Sequence, residues 1–192
     1  MTRTRLFQSI HLFFKRGAGA RGQYIQKNHI FADVGENVIY QPRLIPLYPE
    51  LIKLHNNIVI AANVRFITHD ASFSILNRLN CGHFPERVGC IEVMDNVFIG
   101  YNTTILPNVR IGENIIIGAC STVTKDLESN GVYVGSPARR VGSFDEYIQK
   151  QSADENGEYS YPYTEHNQNI TKSEIERAWK VFSEERMTDR DN

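Results

Sequence analysis

Cysteine, net charge and long apolar runs are all scarce in this 192-residue chain. The cysteines, Cys81, Cys90 and Cys120, form no C-x-x-C pair, which argues against a disulfide scaffold or structural zinc and favours a reducing compartment. We interpret all three as packing or loop residues. A net charge of −1 gives no reason to expect nucleic-acid binding. Because no membrane-spanning run or signal-peptide core is evident, the sequence predicts a soluble, cytoplasmic protein.

The chain has instead a regular period of six. Small or β-branched residues mostly follow the repeated aliphatics by four positions, and Gly100, Gly112 and Gly118 follow three of them directly. This period fits neither a helix nor an alternating strand, and it is typical of a β-helix in which each hexapeptide forms one strand and one corner. We expect the aliphatics to point inward, the small residues to fit the turns, and the glycines to adopt φ values that side chains resist. The repeated aliphatics are Val93, Ile99, Ile105, Ile111, Ile117 and Val123.

Looser hexapeptides precede the regular ones, at 34–38 and 58–68. Their phases differ, so insertions must separate them. Three prolines mark one insertion between Tyr40 and Glu50, because proline cannot join a regular ladder. Periodicity disappears from Asp70 to Gly89, which predicts a loop that leaves the coil, and loops of this length are often functional.

The beginning of the chain has helical periodicity. Leu6, Ile10, Phe13 and Phe14 share one face of the predicted helix, and arginines and lysines flank them. We interpret this helix as a cap over the open end of the β-helix, because that end would otherwise expose strand edges. A basic amphipathic helix can also lie on a membrane, so peripheral membrane contact stays open as the alternative.

The end of the chain is also predicted to be helical. Thr171-Lys172-Ser173-Glu174 is a capping box that opens a helix. The polar segment from Ser152 to Asn169 predicts an extended arm. The predicted organisation is therefore an N-terminal helical cap at 1–28, a β-helix at 29–142 with its excursion at about 70–90, and a C-terminal arm and helix at 143–192.

His69 ends the second looser stretch, where the predicted loop leaves the coil. Histidine titrates near neutrality and can act as a general base, although a lone histidine is more often structural. Three passages around it resemble the left-handed β-helix acyltransferases, and specifically the small sugar O-acetyltransferases of capsule, lipopolysaccharide and maltose type. They are residues 51–70, which lead into His69, residues 91–126, and the exit motif Val134-Gly135-Ser136-Pro137-Ala138-Arg139.

The resemblance implies an all-β core formed by a left-handed parallel β-helix, with helical extensions at both ends of the chain. It also implies a homotrimer that holds acetyl-CoA between coils of adjacent subunits. The implied reaction is acetyl transfer to a hydroxyl of a sugar or polysaccharide, with His69 as general base and without a metal. The partners would be a small-molecule or oligosaccharide acceptor.

The resemblance also implies a set of binding residues. Missing side chains would let the pantetheine arm approach the backbone of Gly100, Gly118 and Ala119. The residues expected near the CoA phosphates are Thr124, Lys125, Arg139 and Arg140, and those expected near the acceptor are His83, Asn63 and Asp70. No acidic partner of His69 can be assigned, because Glu92 and Asp95 qualify only if coil stacking brings them close.

Other interpretations stay open at this point. An amine, such as an amino sugar, could replace the hydroxyl as acceptor. The γ-type carbonic anhydrases share the hexapeptide repeat and bind zinc through histidines of adjacent subunits. Their paired-histidine spacing is absent here, since His55, His69 and His83 are widely separated. A catalytically silent scaffold protein is the remaining alternative.

Overall fold

A computed structural model describes residues 3–153 and 170–188 of the chain. The chain divides into two compact units, Met1–Asp145 and Glu146–Asn192. Its helices are α1 (Arg3–Phe14), α2 (Ala18–Lys27), α3 (Phe73–Leu76), α4 (Phe144–Ala153) and α5 (Lys172–Thr188), with 3₁₀ turns at Pro49–Leu51 and Asn77–Leu79.

The strands of the first unit are short, as a hexapeptide repeat requires. They are β1 (Asp33–Val34), β2 (Val38–Tyr40), β3 (Ile52–Leu54), β4 (Ile58–Ile60), β5 (Arg65–Phe66), β6 (His69–Asp70), β7 (Arg87–Val88), β8 (Ile91–Val93), β9 (Val97–Ile99), β10 (Thr104–Ile105), β11 (Val109–Ile111), β12 (Ile115–Ile117), β13 (Thr122–Val123), β14 (Gly131–Val134) and β15 (Arg139–Ser143).

Three parallel ladders form the faces of a coil. The first face contains β1, β3, β8 and β11, the second contains β2, β4, β9, β12 and β14, and the third contains β5, β10 and β13. Successive strands pass from one face to the next, and Ile111 pairs with Val93, 18 positions earlier. One turn therefore takes three hexapeptides, which confirms the predicted parallel β-helix. β15 closes the second face by pairing antiparallel with β14.

The interior contains two residues from each repeat. All six repeated aliphatics, from Val93 to Val123, have no exposed surface, as predicted. The small residues four positions later are buried as well, so they belong to the core and do not merely fit the turns. The Thr103 and Ser121 hydroxyls both reach the carbonyl oxygen of Gly118, at 3.2 and 2.7 Å. Burying each large aliphatic side chain contributes about 1.5–3 kcal/mol.

Asparagine, and not glycine, supplies the left-handed backbone at the corners. The prediction for Gly100, Gly112 and Gly118 was wrong, because none of them has a positive φ. Four asparagines with φ between +56° and +61° stack at one corner, and asparagine tolerates this conformation better than most residues. Their side-chain amides form an asparagine ladder, Asn57 to Asn96 to Asn114 to Asn130, with N···O distances of 2.7–2.9 Å.

The second insertion is an ordered excursion loop, Asp70–Gly89. It starts and ends in an antiparallel pair in which His69 lies opposite Val88. Inside it, the Asn77 side chain donates to the Phe84 carbonyl and accepts from the Phe84 amide, at 2.8 and 2.9 Å. Ile52 pairs with Ile91, 39 positions later, so the loop lengthens this turn by 21 residues without shifting the register.

Helix α2 packs against the edge of the first turn. Gly22 lies so close to β2 that a Cβ atom there would be 1.9 Å from the Val38 carbonyl oxygen. The buried Arg21 side chain donates to the carbonyl oxygens of Tyr40 and Lys15, both at 2.9 Å. It thereby ties the end of α1 to the coil. The helix that covers the strand edge is therefore α2.

The second unit contains the predicted capping box. The Glu174 amide donates to the Thr171 hydroxyl at 3.3 Å, and the Thr171 amide donates to the Glu174 carboxylate at 2.6 Å. Most of the predicted arm, residues 154–169, lies outside the described residues. Among the helices that the structure describes, none combines the length and apolar character needed to cross a membrane.

Candidate active site

His69 lies at the base of the excursion loop and has an unsatisfied ring nitrogen. Its side chain is half-buried, and the Tyr48 ring meets it edge-on with centroids 5.8 Å apart. The Nδ1 atom is buried and has no hydrogen-bond partner among residues 3–153 and 170–188. Leaving such a group unpaired costs about 1–3 kcal/mol, so the unpaired Nδ1 atom destabilises the folded state. It is the kind of exception that a functional role explains.

Asp70 does not serve as the acidic partner of His69. Its carboxylate accepts hydrogen bonds from the Ser72 amide and the Ser72 hydroxyl, at 2.8 and 2.9 Å. These two bonds are the main reason that the pKa of Asp70 lies below its ordinary value. Asp70 therefore has a local role in starting the loop, and this engagement disfavours the predicted contact with the acceptor.

The other two candidate partners belong to a different face of the coil. Glu92 accepts from His55 Nε2 at 3.1 Å and from Arg110 Nε at 2.8 Å. The hydrogen bond from His55 is the largest cause of the lowered pKa of Glu92. Asp95 accepts from the Asn56 amide at 2.7 Å. Coil stacking therefore gives both carboxylates other partners.

An apolar cavity of about 230 Å³ opens beside His69. The proline-rich segment 42–47 forms one wall, and Asn63 and the residues of β5 form the other. In the first turn this segment takes the place of a strand, because its prolines prevent regular pairing. The Thr68 hydroxyl donates to the Leu47 carbonyl oxygen and fixes the segment against β5.

Tyr48 connects this wall to the excursion loop. Its hydroxyl donates to the Glu86 carboxylate, with both oxygens at 3.1 Å, and this hydrogen bond is the main reason that the Tyr48 pKa is raised. Its backbone has a φ of +51°, which is unusual for an aromatic residue. Nothing in the local sequence marked Tyr48, because the residues that it contacts are distant in the chain.

Asn63 lies at the corner before β5. Its backbone has a φ of +61°, and its side-chain amide donates to the Tyr101 hydroxyl at 2.8 Å. It lines the same cavity as His69, so the structure brings these two predicted residues together. His83, in contrast, is exposed on the excursion loop and is not among the residues that line this cavity.

Thr124, Lys125 and His69 all lie at the edge of the third face where its strands end. Phe66, Ile105 and Val123 are in register across β5, β10 and β13. Phe66 and Val123 are thus two strand spacings apart, which is about 10 Å. His69 follows Phe66 by three residues and Lys125 follows Val123 by two, and both Thr124 and Lys125 are exposed. The structure therefore places a histidine and a cation along one edge of the coil.

Gly100, Gly118 and Ala119 lie at the opposite edge of this face. A Cβ atom at Gly100 would be 2.5 Å from the Ala119 amide nitrogen, and one at Gly118 would be 2.8 Å from Val134 Cγ1. The next turn by itself thus requires the missing side chain of Gly100, and close approach of the pantetheine arm stays a prediction. Ala119 is exposed, so its backbone is the more accessible of the three.

The two arginines of β15 differ in their surroundings. Arg140 donates to the carbonyl oxygens of Asn130 and Gly142, at 2.8 and 3.3 Å, on the second face. Arg139 follows Ala138, whose amide donates to the Thr122 carbonyl oxygen at 2.8 Å. Arg139 is therefore close in the chain to the last strand of the third face, whereas Arg140 is bound elsewhere.

The cysteines are not packing residues, contrary to one of the two roles expected for them. All three are free and exposed. Cys120 has a φ of +60° and lies at the same corner of its turn as Asn102 does in the preceding turn. The side-chain amide of Asn102 lies 3.8 Å from the Cys120 sulfur. Among the described residues, no group of three His, Cys, Asp or Glu side chains is arranged to hold a metal ion.

Comparison with known proteins identifies the repeat. Residues 91–125 match the family model described as bacterial transferase hexapeptide (six repeats). Over 104 residues the chain is 38% identical to Protein CapG of Staphylococcus aureus, covering 53% of this chain and 58% of CapG. Over 134 residues it is 30% identical to the galactoside O-acetyltransferase of Escherichia coli, covering 58% of this chain and 64% of that enzyme.

The fold is also shared with solved structures. The hexapeptide-repeat-containing acetyltransferase of Vibrio cholerae has a TM-score of 0.60 at 17% identity, covering 73% of this chain and 89% of that one. The structure of the same protein in complex with acetyl coenzyme A has a TM-score of 0.54. These findings confirm the resemblance to the hexapeptide-repeat acetyltransferases. The chain spans less than two thirds of the length of CapG and of the galactoside enzyme.

Proposed function

Because residues 91–125 are hexapeptide repeats of the bacterial transferase type, we propose that this chain is an acetyl-CoA-dependent O-acetyltransferase that acts in the cytoplasm. Its acceptor is a hydroxyl group of a sugar or polysaccharide. The names of CapG and of the galactoside O-acetyltransferase support this class of acceptor. The observation that carries the proposal is His69, which lines the cavity and whose Nδ1 has no hydrogen-bond partner in the described part of the chain.

The reaction requires one base and a polarised thioester. A ring nitrogen of His69 accepts the proton of the acceptor hydroxyl as its oxygen attacks the acetyl carbonyl carbon. The tetrahedral intermediate collapses by breaking the C–S bond, and the departing CoA sulfur takes up the proton that His69 holds. Backbone amides at the coil edge are suited to stabilise the oxyanion, because they are fixed before the reaction begins.

The cofactor lies along the third face in this proposal. Thr124 and Lys125 contact its phosphates, and Arg139 adds positive charge near the end of the last turn. The accessible backbone of Ala119, with Gly118, follows the pantetheine arm. We assign Arg140 and Gly100 to the structure of the coil, because the first is bound to carbonyl oxygens and the second is covered by the next turn.

The proposed assembly is a homotrimer of left-handed β-helices. Within one chain, no residue that the structure describes pairs with His69 Nδ1, and the edge that carries Lys125 is exposed. A neighbouring subunit would pair with this nitrogen and cover this edge, and the site would then lie between two coils. In this arrangement the neighbouring subunit supplies the acidic partner that His69 lacks among the described residues.

The test is a substitution of His69 with a matched control. His69→Ala should lower kcat by on the order of 10²–10⁴ and leave acetyl-CoA binding unchanged, because the base acts only on the acceptor proton. Release of the CoA thiol with a panel of sugars gives kcat, and titration calorimetry gives the binding constant. His11→Ala, on α1, serves as the control for removing an exposed imidazole. A His69→Ala enzyme with more than about a tenth of the wild-type kcat would contradict the assignment.

A further inference from the structure

Helix α1 presents its apolar side to solvent and its polar side to the protein. Leu12 is completely buried, and Arg5, Gln8 and Ser9, which lie on the same side, are half-buried. The opposite side is an apolar stripe that spans about 120° of the helix at 100° per residue. Its members are 44–74% exposed, and they are Leu6, Phe7, Ile10, Phe13 and Phe14. A helix packed for a water-soluble surface has the reverse arrangement.

The surroundings of the apolar stripe are purely cationic in sequence. Residues 3–32 contain no aspartate or glutamate, and they include Arg3, Arg5, Lys15, Arg16, Arg21 and Lys27. Lys15 and Arg16 are exposed at the end of α1. The exposed Arg43 joins them from outside this range, with its guanidinium carbon 5.6 Å from the centre of the Phe13 ring. Cations beside a row of large apolar side chains complement an anionic lipid surface.

The same contacts attach α1 to the wall of the cavity. Arg43 donates to the Phe13 carbonyl oxygen at 2.5 Å, and Arg5 donates to the Ile45 carbonyl oxygen at 3.5 Å. Arg43 and Ile45 both lie in the segment 42–47, which forms one wall of the cavity beside His69, and Ile45 itself lines the cavity. The apolar stripe is therefore fixed in position relative to the proposed active site.

We propose that α1 docks this protein on a membrane surface that contains anionic lipids. The apolar stripe enters the boundary between headgroups and acyl chains, and Lys15, Arg16 and Arg43 contact the lipid phosphates. The helix lies in the plane of the surface, as interfacial amphipathic helices do. The same docking presents the cavity beside His69 to molecules held at that surface. The binding itself does not depend on the proposed acetyl transfer.

Vesicle binding by the full chain tests this proposal. Sedimentation should show strong binding to vesicles that contain phosphatidylglycerol, weak binding to phosphatidylcholine alone, and loss of binding as salt increases. The double variant Phe7→Ser/Phe14→Ser replaces the two most exposed aromatics of the apolar stripe. It should lower the partition constant on the order of tenfold for each side chain. Arg16→Gln should lower it about fivefold.

Two matched variants provide the controls. Trp179→Ser removes a side chain of similar exposure, 64%, from α5, and Lys150→Gln removes an exposed cation from α4. Neither should change vesicle binding. Equal binding to both kinds of vesicle, or an unchanged partition constant in the Phe7→Ser/Phe14→Ser variant, would overturn the proposal. A third result would also overturn it: the wild type binds no vesicle, and the Phe7→Ser/Phe14→Ser variant has a different molar mass from wild type in light scattering. The apolar stripe would then be a contact between copies of the chain.

Discussion

Replacing Gly100 with alanine should destabilise the coil without a change of backbone conformation. The φ of Gly100 lies in the ordinary range, so alanine brings no conformational strain. Its Cβ atom would lie 2.5 Å from the Ala119 nitrogen, and 2.7 Å from both the Gly118 carbonyl carbon and the Ile117 oxygen. All three are backbone atoms of the next turn, so no side chain can rotate away. Overpacking of this kind costs about 1–3 kcal/mol.

Gly19 on α2 offers a control of opposite sign. A Cβ atom there would have no other atom within 4 Å, and its φ is also ordinary. Gly19→Ala should therefore stabilise the protein by about 0.5–1 kcal/mol, because alanine loses less conformational entropy in a helix. Urea denaturation of both variants at matched subunit concentration gives the two free-energy changes.

The outcome at Gly100 also separates two roles for this residue. If the close turn is the reason for glycine, Gly100→Ala loses stability while the KM for acetyl-CoA measured on the folded fraction stays near wild type. Undiminished stability combined with a raised KM would refute this reasoning and would return Gly100 to the cofactor site.

Three further predictions concern the site, the loop and the first face. Lys125→Ala should raise the KM for acetyl-CoA in a salt-dependent way and leave kcat unchanged, whereas Lys53→Ala should have no effect; equal KM values across a salt titration would contradict this. Replacing the excursion loop with a short turn should leave a folded coil that binds CoA but has lost acceptor selectivity; a loss of the native circular dichroism spectrum would instead show that the loop holds the coil together. Because the pKa of Glu92 is lowered in the folded protein, the Glu92 carboxylate stabilises the fold at pH values above its ordinary pKa, about 4.3. This stabilisation disappears as the pH falls through the pKa of the folded state. Glu92→Gln should thus be less stable than wild type at neutral pH and should converge with it in acid, and parallel melting curves at all pH values would exclude this.

The periodic part of the fold was predictable because it depends on near neighbours in the sequence. An inward aliphatic every six residues defines both the strand and the turn, and each of these side chains is fully buried as expected. The sequence was misleading about glycine, because the positive φ and the close contact between turns are separate requirements. Asparagine meets the first of them at Asn96 and Asn114, and Gly100 meets the second.

The surroundings of His69 were less predictable, because distant residues determine them. The resemblance to a family motif singled out His69 as the proposed base, but the wall of the cavity beside it comes from an irregular segment that has no period. Leu47 and Tyr48 are held by hydrogen bonds to Thr68 and Glu86, which are 21 and 38 positions away. The partners of Glu92 likewise come from other turns. Contacts of this kind depend on the completed coil and leave no local pattern.

The unchanged register on both sides of the excursion loop has a thermodynamic consequence. Closing a turn of 39 residues instead of 18 adds only about 0.7 kcal/mol of loop-closure entropy, because the cost rises with the logarithm of length. Doubling the length again would add about 0.6 kcal/mol. Insertions at this corner can thus vary widely while the folded coil retains nearly all of its stability. The length of the segment that follows His69 can therefore change without a matching change in the scaffold.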